Sequence, residues 1–156
     1  MRKKSAFVGL FTGVILLVGA AAAFAGQING VGHTPLNAAL GFNAKSDLTG
    51  QLNYNADPNG PNAGFSVHCD GYTYYRERTS PDGFPAVNVN ANCTDKDGVF
   101  VHVRANFVDR GEPGTDDSIC MQFFYEQGVV YIWDHGTILN GNIQFHGDHG
   151  IAIFDA

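Results

Sequence analysis

Positive charge is scarce in this chain. Nine Lys and Arg stand against fifteen Asp and Glu, a formal charge of -6 at pH 7. Arg2, Lys3 and Lys4 lie at the extreme N-terminus; without them six basic residues face fifteen acidic ones and the charge becomes -9. Such a surface repels phosphate backbones and anionic lipid, which argues against nucleic acid as a partner. Helix signals are also scarce beyond residue 25, where Gly, Asn and Asp recur every few positions and disfavour helices. The signatures of several enzyme classes are missing. Neither Ser66 nor Ser118 has a Gly-x-Ser-x-Gly setting, and there is no phosphate loop, Gly-x-Gly-x-x-Gly or Cys-x-x-Cys. The paired His-x-His and following Glu of cupins are absent, and Cys120 has no basic neighbour in sequence to activate it.

What is present begins with a stretch that reads as an export signal. Arg2, Lys3 and Lys4 precede an almost unbroken apolar run from Phe7 to Ala23, and Ala23-Phe24-Ala25 is a small-x-small cleavage site. The alternative, an uncleaved anchor, fits less well because the run is only marginally long for a bilayer and ends in small residues. No cysteine follows the run, which argues against a lipoprotein. The expectation is a signal peptide over 1–25 and a secreted, extracellular or cell-envelope product with no membrane contact after cleavage.

The remainder reads as short strands between turn residues. They are expected near 38–45, 48–55, 64–70, 72–78, 85–93, 98–108, 118–126, 129–134, 137–146 and 150–154. Residues 26–36 read as a loose entry segment and 55–64, with Pro58 and Pro61, as a loop. No internal repeat appears, so 37–156 is expected to be one all-β domain. Eight to ten short antiparallel strands predict a β-sandwich of jelly-roll or Greek-key type, with a small β-barrel as the alternative.

Alternation assigns faces within these strands. Val87, Val89, Ala91 and Cys93 share one side of their strand, and Asn88, Asn90 and Asn92 the other. Phe65, Val67 and Cys69 share an apolar side, whereas Cys120 falls opposite Ile119, Met121 and Phe123. Two inward cysteines make the better pair. In an oxidising compartment a Cys69–Cys93 disulfide is therefore expected, with Cys120 left as a thiol; three reduced thiols are the alternative.

Four stretches carry a resemblance: "GFNAK" at 41–45, "GQLNY" at 50–54, "GEPGTDD" at 111–117 and "LNGNIQFH" at 139–146. Together they resemble the post-COAP-1 domains, a family of small secreted bacterial β-domains, over about 39–146. Gly141, Asn142, Ile143, Gln144 and His146 are the most specific part. The resemblance implies export and an all-β fold and brings no catalytic residue. "GDHGIAIFDA" continues past the point where such domains tend to stop.

Three groups of residues are candidates for function. The first is "DRGEPGTDD", where Asp109, Glu112, Asp116 and Asp117 could supply oxygens to calcium. The spacing is not that of an EF-hand, Pro113-Gly114 is a turn dipeptide, and nothing in so hydrophilic a stretch suggests burial. A wet strand-to-strand connection is the plainer reading. The second group is His68, His102, His146 and His149, which could hold zinc or copper if the fold gathers three of them. The third is aromatic. Tyr72 and Tyr74 share a face in "YTYYRERT", and Trp133 could join them as a platform for a sugar or a partner protein. The Asn88, Asn90, Asn92 ladder reads as a solvated face whose amides also suit sugar hydroxyls. The function expected is a non-catalytic extracellular interaction module, with a glycan or cell-surface ligand and no cofactor. A metal-dependent protein, an enzyme among the options, is the alternative.

Overall fold

A computed structural model describes residues 26–125 and 129–147. The leader, His149 and the strand expected at 150–154 lie outside the described residues. Within them the chain is all-β and antiparallel. The strands are β1 Gln27–His33, β2 Ala39–Lys45, β3 Gly50–Asn55, β4 Ser66–Asp70, β5 Tyr74–Thr79, β6 Pro85–Asp95, β7 Phe100–Val108, β8 Ser118–Phe124, β9 Val130–Thr137 and β10 Asn140–His146. They form one sheet in the order β10-β1-β2-β3-β4-β6-β7-β8-β9, with β5 beside β6. The sheet curls strongly into a half-barrel. The two facing sheets of a sandwich are not confirmed.

The curl follows from the alternation. Every strand except β5 turns at least one buried apolar side chain inward, from Ile28 of β1 to Ile143 of β10, and these belong to a single core. The core is closed by rings from opposite arms of the sheet. Phe42 of β2 stacks on Phe107 of β7 with centroids 3.8 Å apart, and Tyr54 of β3 meets Phe123 of β8 at 4.6 Å. Cys69 of β4 and Cys93 of β6 are both buried on this inner face and form the expected disulfide, leaving Cys120 free.

Residues 27–33 are not a loose entry. They form β1, paired with β10 on one side and β2 on the other. Its glycines conceal the pattern: Gly30 points inward, and a Cβ there would stand 2.6 Å from the Phe42 ring. The aromatic ring of the neighbouring strand fills the place of β1's own side chain. The strands expected between 38 and 146 are found, with shifts of a few residues at their ends.

Candidate functional site

The outer face of β5–β9 carries a continuous cross-strand row. Tyr74 pairs with Asn90, Asn90 with Arg104, Arg104 with Gln122, and Gln122 with Trp133. At roughly 4.8 Å per strand the row spans about 19 Å. Its two ends are the aromatic residues, Tyr74 at 40% and Trp133 at 57% exposure. Amides flank the central guanidinium on both sides. The Asn88–Asn92 alternation and the inward core of β6 place these residues outward, as the sequence suggests.

Neighbouring rows are held by short contacts. Asn106 donates to Asn88 Oδ1 at 2.9 Å, and a His102 ring nitrogen lies 2.8 Å from Asn92 Oδ1. The Arg104 guanidinium lies 5.1 Å above the Phe124 ring. Trp133 leans on His135, with centroids 4.5 Å apart, and its indole N–H points to Cys120 Sγ at 3.5 Å. These contacts fix the rotamers of several side chains before any ligand arrives.

Tyr72 does not belong to this face. Gly71, at φ 100°, turns the chain out of β4, and a bend at Thr73 separates Tyr72 from β5, which begins at Tyr74, so the alternation does not run through Tyr72. Tyr72 is buried instead, at 7% exposure, and its hydroxyl donates to the Gln51 carbonyl at 3.0 Å. Burial pushes its pKa up. It is a core residue and no part of the expected aromatic platform.

The acidic stretch 109–117 is a connection between β7 and β8, as expected, but it is not merely wet. Asp117 is fully buried. Its Oδ1 accepts from Arg110 N at 2.7 Å and its Oδ2 from Ile143 N at 2.6 Å. Asp109 accepts from Gly111 N and, with its other oxygen, from Phe145 N, both at 2.8 Å. Glu112 accepts from the Asn142 amide at 2.9 Å and the Gln144 amide at 2.5 Å. The carboxylates thus face the chain's own N–H groups along the edge of β10 away from β1. "GEPGTDD" and "LNGNIQFH", far apart in sequence, are one contact in space. Burial raises the pKa of Asp117, whereas the Gln144 and Asn142 amides lower that of Glu112. Asp116 stays exposed, beside a shallow cleft lined by Phe84, Arg110 and Thr137.

The histidines are dispersed. His68 lies on β4, with one ring nitrogen 2.7 Å from Asn53 Oδ1 and the other 2.9 Å from Asp70 Oδ1. His102 lies on β7, and His146 ends β10 opposite Gln27. Among the described residues no group of three or more His, Cys, Asp or Glu stands close enough to share an ion.

One polar cluster was missed from the sequence. Asp134 of β9 is fully buried. It accepts from the Tyr54 hydroxyl at 2.9 Å and from Leu36 N at 3.2 Å, and burial followed by the Asp134 charge pushes the Tyr54 pKa up. Its only signal was an acidic residue at an inward position of "VYIWDH", directly after two apolar alternations. Among the described residues no helix is long and apolar enough to cross a membrane. Comparison with models of known families, with curated proteins and with solved structures finds no match.

Proposed function

We propose that the chain is an exported, non-catalytic binding module whose ligand face is the convex outer surface of β5–β9, and that the ligand is a glycan. The observation that carries this reading is the row Tyr74–Asn90–Arg104–Gln122–Trp133. Stacking rings at both ends with hydrogen-bonding amides between them match a chain of sugar rings, which presents alternating apolar faces and hydroxyls. Tyrosine and tryptophan combine an apolar body with a polar tip and lose little conformational freedom on binding. The β5–β9 sheet supports the row from beneath, so the spacing of its side chains is set before binding. A disulfide is compatible with an oxidising compartment, and export itself rests on the leader. The resemblance to secreted post-COAP-1 domains agrees with that compartment.

Trp133 is the only tryptophan in the chain, so tryptophan emission, excited selectively over the six tyrosines, reports on this face alone. Titration with oligosaccharides of defined linkage should shift or quench that emission. Loss of the response in Tyr74→Ala, with melting unchanged, supports the face as the site. A panel of neutral and charged glycans that leaves the emission flat ends the proposal.

A further inference from the structure

We infer that the glycan bound on this face is acidic: an oligosaccharide whose sugar rings carry carboxylates, read by Arg104. This deepens the preceding proposal and rests on it.

The argument is one of charge segregation. Carboxylates outnumber basic residues fifteen to nine in the chain. Yet the outward positions of β5–β9 hold Arg76, Arg78, Arg104, His102 and His135, and no Asp or Glu. Asp134 of β9 is buried, and Glu77 of β5, although exposed, takes the alternate side of its strand, opposite Val87. Three of the four arginines beyond the leader therefore lie on one face of an acidic protein.

Arg104 is the centre of that face. It is exposed, lies at the midpoint of the row, and makes no ion pair among the described residues. Its lateral neighbours Asn90 and Gln122 are uncharged, and the Phe124 ring beneath it supports the guanidinium plane. A guanidinium offers a fork of donors that matches a carboxylate with two parallel hydrogen bonds. With Tyr74 and Trp133 some two strand spacings to either side, a linear polyuronate could stack on both rings while one carboxylate meets Arg104. Charge complementarity selects this occupant. A neutral glycan would leave the one unpaired cation of the row without a partner.

The test is a titration of Trp133 emission in the purified protein with hexagalacturonate, with the same hexamer fully methyl-esterified, with cellohexaose and with oligothymidylate. The esterified hexamer keeps the sugar rings and removes the charge. The expected result is saturable quenching by hexagalacturonate, weakened by added salt. Affinity should fall about tenfold or more for the ester, and by a similar factor for Arg104→Gln against the acid, as one charge-assisted pair is lost. Arg104→Gln should melt as the wild type does. Equal binding of acid, ester and cellohexaose, with Arg104→Gln indifferent, overturns the acidic ligand and leaves the glycan face standing. Quenching by oligothymidylate as strong as by hexagalacturonate replaces the uronate with polyphosphate and also overturns it. No response to any sugar removes both proposals.

Discussion

Asp117 and Ile143 are joined by a 2.6 Å hydrogen bond from the β10 backbone to a fully buried carboxylate. The second oxygen of the same group holds Arg110 N. One side chain therefore satisfies two donors on segments that are remote in sequence and ties the β7–β8 connection to the end of the sheet. Replacing Asp117 with Ala should leave both N–H groups without that partner, at about 1–3 kcal/mol for each one kept from water. Chemical denaturation should show the midpoint falling with little change in slope. A variant as stable as the wild type would contradict the role given to this carboxylate.

Gly114 makes the same contact possible through its shape. It adopts φ 79°, and a Cβ there would stand 2.0 Å from Asn142 Oδ1 and 2.9 Å from Asn142 Cα. Gly114→Ala combines a disfavoured backbone region with a collision against β10. The expected outcome is a loss of about 1–3 kcal/mol, and faster hydrogen exchange at Ile143 and Phe145 than at the inner strands.

Two carboxylates of this stretch should respond to pH with opposite signs. The amides of Gln144 and Asn142 lower the folded pKa of Glu112. Its contribution is present above the unfolded pKa and is lost as pH falls through the lower, folded one. Burial raises the folded pKa of Asp117. Its contribution is fully present below the unfolded pKa and is lost as pH rises through the folded one. Melting of both variants from about pH 3 to about pH 7, across the carboxylate range, checks this. The gap between wild type and Glu112→Gln should widen toward neutral pH, and that between wild type and Asp117→Asn should widen toward acid.

The disulfide closes a loop of sequence separation 24 between β4 and β6. Removing it in a Cys69→Ala, Cys93→Ala double variant should cost about 3 kcal/mol on the chain-entropy account. Reductant should lower the wild-type midpoint by a similar amount and leave the double variant where it is. Cys120→Ser should not alter the effect of reductant.

Binding and stability should separate between the aromatic residues. Trp133 and Tyr74 are exposed, so Trp133→Ala and Tyr74→Ala should weaken glycan binding while shifting the melting temperature little. Tyr72→Phe removes the hydroxyl that donates to Gln51 and should cost about 1 kcal/mol of stability without touching affinity. Calorimetric titration and thermal melting of the three variants distinguish the roles.

Much of this architecture was legible in the sequence because the side chains alternate. "PAVNVNANC" declares which face of β6 is core, and the pairing of Cys69 with Cys93 follows from the same period of two. The pattern failed where glycine or a bend replaced it. "QINGVGH" hides a strand behind residues with no side chain to read, and the bend at Thr73 parts Tyr72 from the face its spacing implied. Contacts between remote segments were out of reach. Nothing in "DRGEPGTDD" announces that its last aspartate bonds to residue 143, since that depends on the curl of the whole sheet. The cross-strand row is of the same kind. Each member's outward direction can be read from its own strand, but their alignment into one line needs the register of four strand pairs.

The carboxylates of Asp109 and Asp117 occupy the outward amides of Phe145 and Ile143, so the β10 margin has little left to offer an incoming strand. Stacking of copies side by side into a fibre requires two receptive margins on every molecule. Here the β10 margin is already sealed by the chain's own acids, which leaves β9 and the outer edge of β5 as the margins among the described residues where a second copy could pair. The loop that holds the fold together thus also closes one route to edge-to-edge growth.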